Sequence, residues 1–205
     1  MREIQRSVYS ILISLFLTGC FGDNDSNTLY IPVCGSSLGD TDSTNSTGTC
    51  LKVIESNHKF FTSSPSISLV EYMGFTTEAI DDGNAYKYSS FHTENGTKGP
   101  PSGIFATFNN REGGHSSTFC TELNKHNFYE QSNWQMPSVI DLLDLYNLSG
   151  DLWTIYGWPA GLSYWTINEV PDSDSSWLVN LTQGTVGTLN ENTGNYISCV
   201  SKPNT

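Results

Sequence analysis

The chain has 205 residues, with 9 Lys plus Arg against 21 Asp plus Glu, a formal net charge of −12. Such a surface repels phosphate backbones and anionic lipid headgroups, so no nucleic-acid partner is expected. The length suits one domain, with room for a leader and a short appendage.

Residues 1–19 have the layout of a secretory signal: Arg2 and Arg6 form a basic start, and 8–17 an apolar run. That run is too short to span a bilayer. Leu17-Thr18-Gly19-Cys20 resembles the bacterial lipobox. The resemblance implies cleavage after Gly19, diacylglycerol on the Cys20 sulfur and an acyl chain on its new amino group. Acyl chains contribute about 0.8 kcal/mol per buried methylene, and two or more anchor a protein without a transmembrane helix. Removing residues 1–19 takes away Arg2, Arg6 and Glu3, leaving 186 residues with 7 basic against 20 acidic groups, a net charge of −13.

Residues 20–30 read as a polar tether, and 31–205 as the folded domain. Short strands are expected at 51–54 and 59–62. Ser64-Pro65 has the form of an N-cap followed by proline at the first helical position, predicting a short helix through Met73. Gly99-Pro100-Pro101 breaks a Gly/Asn/Ser/Pro-rich stretch over 76–103, and 104–108 reads as a strand. Ser116 or Ser117 can cap a helix that places Phe119, Cys120 and Leu123 on one face. Ser138-Val-Ile-Asp141 has the spacing of a capping box, and Val139, Leu142, Leu143 and Tyr146 form one apolar stripe. The period then shortens. Strands are expected at 164–167, at 177–182, at 185–189 after a Gln183-Gly184 turn, and at 196–201. Helices followed by an antiparallel set indicate an α+β fold.

With Cys20 assigned to lipid, Cys34, Cys50, Cys120 and Cys199 remain, an even number in an exported chain and hence a two-disulfide framework. Three pairings are open. Nearest-neighbour pairing favours Cys34 with Cys50, which leaves Cys120 with Cys199 to tie a helix to the final strand. Loops of those lengths contribute about 3 and about 4.5 kcal/mol in the chain-entropy treatment. No CxxC or HxxxH spacing supports a zinc site, and His58, His92, His115 and His126 are scattered.

Asn133-Trp-Gln-Met-Pro-Ser138 with its following helix, Trp158-Pro159, Tyr164-Trp165, Trp177-Leu-Val and the closing Tyr196-Ile-Ser-Cys199-Val200 form an ordered series. The series resembles the C-type-lectin-like adhesin domains of invasin- and intimin-type bacterial surface proteins, and the wider DUF1566-type domains. The resemblance implies a C-type-lectin-like domain: two helices, a small antiparallel sheet and a long irregular loop that carries the binding surface. It also implies adhesion to a protein or glycan receptor, with no catalysis and no cofactor. Gln135 and Met136 stand where the DUF1566-type signature has Arg-Leu, and no Glu-Pro-Asn or Trp-Asn-Asp element supports a calcium-dependent sugar site. Asn168, Glu169, Asp172 and Asp174 are read as a solvated acidic loop and not as calcium ligands.

Residues 153–165 concentrate three of the five tryptophans with two tyrosines. Aromatic rings with a polar handle suit sugar stacking and protein hot spots. Trp165 and Trp177 are assigned to the core; Trp153, Tyr156 and Trp158, in the loop, are assigned as ligand contacts. The tether 21–30 reaches roughly 33–36 Å when extended, and Phe21 after the lipidated cysteine favours the outer membrane of a Gram-negative cell, with display on its surface. Two rival functions are an accessory lipoprotein facing the periplasm and an envelope enzyme using His115 or His126 beside a free Cys120.

Overall fold

Hairpin sterics start the fold. Strands β1 (Val53–Ser56) and β2 (Lys59–Thr62) pair antiparallel with Ser56 opposite Lys59. The two residues between them, Asn57 and His58, hold φ of 50° and 56°, the doubly left-handed geometry of a tight hairpin. The structure, a computed structural model, describes residues 28–111 and 114–202. The signal, Cys20 and the tether up to residue 27 lie outside the described residues. No helix among the described residues is long and apolar enough to cross a membrane.

Helix α1 (Ile67–Tyr72) starts two residues later than the sequence suggests: Ser66, not Ser64, accepts the Leu69 N–H on its hydroxyl (3.1 Å). The reason is non-local. The Ala106 N–H donates to the Pro65 carbonyl (3.1 Å) and Ser66 bridges to Phe105, which holds this stretch extended against a later strand. That strand, β6 (Ile104–Thr107), pairs with β5 (Ser90–Thr93) across the Gly99-Pro100-Pro101 break. Two-residue strands β3 (Thr76–Thr77) and β4 (Lys87–Tyr88) pair parallel beside them.

Helix α2 (His115–Lys125) is capped by Gly114, because the two serines use their hydroxyls as donors, Ser116 to Asn110 and Ser117 to the Gly114 carbonyl. Phe119, Cys120 and Leu123 are buried as expected. Helix α3 (Val139–Ser149) has the full capping box: the Asp141 N–H donates to the Ser138 hydroxyl (3.1 Å), and the Ser138 N–H to the Asp141 carboxylate (2.9 Å). Leu142 and Leu145 form the buried centre of its stripe, with Val139, Leu143 and Tyr146 half-buried beside them.

Strands β7 (Tyr164–Glu169), β8 (Ser175–Asn180) and β9 (Thr185–Asn190) form an antiparallel sheet between two cores. Trp165 and Leu178 pack with α2 in the first; Tyr164 and Val179 pack with α3 in the second. Trp177, expected in the core, is only half-buried. Of the predicted last strand only Val200–Ser201 is regular (β10), pairing with β2. Residues 195–199 instead form a buried spine whose backbone exchanges bonds with Phe108, Ser163, Trp165 and Thr62 in turn. The fold is α+β, as the sequence indicates.

Both cysteine pairs are closed, Cys34 with Cys50 and Cys120 with Cys199, over sequence separations of 16 and 79. The second fastens α2 to the spine. Replacing Cys120 and Cys199 together by Ala lowers the urea-unfolding free energy by about 4 to 5 kcal/mol, against about 3 kcal/mol for the Cys34/Cys50 pair; equal losses would contradict a loop-size origin.

Candidate functional site

Trp153 and Tyr156 lie on a helical turn and not in an irregular loop. Helix α4 (Leu152–Tyr156) forms because the Asp151 carboxylate accepts the N–H of Trp153 (3.0 Å) and of Thr154 (3.3 Å). It ends at Gly157, whose φ of 67° suits a left-handed cap. Leu152 is fully buried and anchors the turn. Trp153 and Tyr156 are half-buried, and Ile155 between them is 42% exposed. The loop closed by Cys34–Cys50 abuts the end of this turn: the Ser46 hydroxyl donates to the Gly157 carbonyl (3.3 Å), and a Cβ on Gly157 would lie 2.4 Å from the Ser43 Cα.

Trp158 corrects the sequence reading. Its side chain is fully buried in the second core, 6.2 Å from the Tyr164 ring, and offers no surface to a ligand. A second feature escaped the sequence altogether. Glu94, buried, accepts the Tyr196 O–H (2.6 Å) and the Gly161 N–H (2.8 Å) on one carboxylate oxygen. A Cβ on Gly99 would come within 2.3 Å of the Glu94 side chain. Burial, and then the bond to Glu94, push the Tyr196 phenol far above its ordinary range. Glu94 thereby holds the 94–103 loop against 158–163, behind the α4 turn. No local pattern marks it; only the exclusion of charge from a packed interior could have.

A cleft of about 760 Å³ lies between the entering segment 28–38 and the turn 126–131. Its floor includes Phe60 and Tyr129, whose rings meet edge to face at 5.1 Å. Asn127, Tyr129 and Glu130 hold φ of 49°, 51° and 55°. Left-handed backbone at a residue as bulky as tyrosine is uncommon and costs on the order of 1–3 kcal/mol, a strain that concentrates at functional sites. One wall is latched by the Leu29 N–H, which donates to His126 Nδ1 (3.0 Å), while Nε2 faces Glu122 at 3.6 Å.

The rival assignments fare differently. Cys120 is bonded to Cys199 and provides no thiolate. His115 Nε2 lies 2.7 Å from Glu78, whose carboxylate also meets Arg111. The Asn168 side-chain oxygen accepts the Val139 N–H (2.9 Å) at the start of α3. Among the described residues no three His, Cys, Asp or Glu side chains converge as metal ligands.

Residues 101–200 match the family model of the InvE_AD adhesion domain. The adhesion-domain match takes in α2, α3, α4, the β7–β9 sheet and both halves of the Cys120–Cys199 bridge. It agrees with the invasin-type resemblance of the sequence. No curated protein matches the chain. Among solved structures the chain is similar to the Yersinia pseudotuberculosis adhesin InvE, at 17% identity and a TM-score of 0.45, over 73% of this chain and 33% of that one. The chain thus spans about a third of the length of that adhesin.

Burial lowers the His126 pKa below its ordinary 6.5, against the pull of Glu122. The folded state therefore binds fewer protons than the unfolded one just below pH 6.5, and stability falls as the pH drops through that range. His126→Gln, which keeps an acceptor but does not titrate there, is expected to show a smaller stability loss between pH 7 and pH 5 in urea unfolding; an unchanged loss would remove the latch from the account.

Proposed function

We propose that the chain is a lipid-anchored binding module on the surface of a Gram-negative bacterium, recognising a protein or glycan receptor on another surface. The adhesion-domain match over 101–200 carries this reading. A recognition family and an oxidised Cys120 both favour binding over catalysis. The Leu17–Cys20 pattern supplies the anchor, and the tether keeps the head near its membrane.

The α4 turn is the contact surface in this reading. Trp153 and Tyr156 present partly exposed aromatic area beside exposed Ile155, on a turn fixed by Asp151, Leu152 and the stapled 34–50 loop. Aromatic side chains on a rigid element lose little freedom on binding, which is why they dominate hot spots. Trp158 belongs to the support beneath.

Replacing Trp153 and Tyr156 together by Ala should weaken attachment of protein-coated beads to host cells by about 30-fold or more, with little change in the thermal midpoint. Unchanged attachment would eliminate the turn. Surface proteolysis of intact cells tests display: digestion of the head supports the reading, and survival would place it on the periplasmic side as an accessory lipoprotein.

A further inference from the structure

The cleft between segment 28–38 and turn 126–131, at about 760 Å³, falls within the roughly 300–1,000 Å³ of small-molecule sites. We propose that it binds a neutral saccharide. This rests on the adhesin reading and names a ligand class and a place for it, away from the α4 turn.

The lining fits a ring with an apolar C–H face and a hydroxyl edge. Tyr129, half-buried, and Tyr30, 77% exposed, provide aromatic surface with a polar tip, and Phe60 braces Tyr129 from the side. The left-handed backbone at Tyr129 and Glu130 fixes that ring before any ligand arrives, so little ordering is left to oppose binding. Around the rings stand hydrogen-bonding groups. Gln131, more than nine-tenths buried, is held in the wall, its amide nitrogen donating to the Tyr129 carbonyl (3.3 Å) and its oxygen accepting the Ser201 hydroxyl (3.4 Å). Ser36, Ser37 and Glu130 are exposed on the rim, and their side chains have no hydrogen-bond partner among the described residues.

Charge then selects among ligands. Among the described residues no Lys or Arg lines the cleft and Glu130 is its one carboxylate, in a chain of net charge −12. His126 adds no compensating charge at neutral pH, since its Nδ1 is an acceptor for the Leu29 N–H. A sialylated, sulfated or phosphorylated ligand would meet Glu130 without a counter-charge. An acyl chain would strip water from the exposed serines and Glu130 without replacing its bonds, which is costly. A neutral sugar satisfies both the rings and the rim: its hydroxyls donate to Glu130 and accept from the serines.

The test uses the full chain in phospholipid nanodiscs, with saturation-transfer NMR and titration against methyl galactoside, methyl mannoside, N-acetylglucosamine and lactose, beside N-acetylneuraminic acid and a Lys/Arg decapeptide. At least one neutral sugar is expected to bind. Tyr129→Gly, which can adopt the left-handed backbone without strain and removes the whole side chain, and Tyr30→Ala at the surface should each weaken it by about tenfold or more, while Trp153→Ala leaves it unchanged. Binding by no neutral sugar, binding indifferent to both tyrosine variants, or binding only of the acidic sugar or the basic peptide would overturn the proposal. Host-cell attachment that persists in those cases leaves the adhesin reading standing; attachment lost only on replacing Trp153 and Tyr156 assigns recognition to the α4 turn alone.

Discussion

The bond between Cys120 and Cys199 joins two segments 79 residues apart in the chain. Cys120 sits on the buried face of α2 in the first core, and Cys199 lies in the spine that ends in β10. The spine touches nearly everything. Its Asn195 and Tyr196 exchange backbone bonds with Phe108, Ser163 and Trp165, and at its far end Cys199 and Ser198 bond Thr62 of β2. Fixing one point on it therefore constrains the N-terminal hairpin, the β7–β9 sheet and both cores together. A head with so little regular structure gains from that constraint, because long loops leave much chain entropy to overcome.

Long-range pins then turn irregular segments into defined surfaces. Lys52, almost wholly buried, donates to the Asp40 carboxylate (2.8 Å) and carbonyl (3.1 Å), shaping the loop closed by Cys34–Cys50. That loop backs the end of α4. Glu94 holds a second loop through Tyr196 and Gly161, and His126 holds the entering segment through Leu29. Each pin is a buried polar group with its partner in place, the condition under which burial of polarity is tolerable. The surfaces proposed for recognition, the α4 turn and the cleft at 126–131, are short elements carried by this packed scaffold.

Local signals in the sequence were reliable guides. The Ser138–Asp141 capping box, the α2 face with Cys120, the β8–β9 hairpin and the pairing of the four cysteines all follow from spacing within a few residues or from nearest neighbours. What local spacing could not reveal depends on distant partners. Ser66 displaces Ser64 as a cap because β6 claims Pro65; the expected strand over 196–201 is mostly a spine because its partners come from several elements. Trp158 and Trp153 look alike in sequence, yet one is fully buried and the other half-buried, since α4 turns the chain between them. The cleft combines segments almost a hundred residues apart, and no window of sequence contains it.

Disulfide mapping tests the account most directly: mass spectrometry of a non-reduced digest of protein exported by the cell. The structure predicts one linked peptide pair holding Cys120 with Cys199 and another holding Cys34 with Cys50. Recovery of Cys120 or Cys199 as a free thiol, or joined to Cys34 or Cys50, would contradict it.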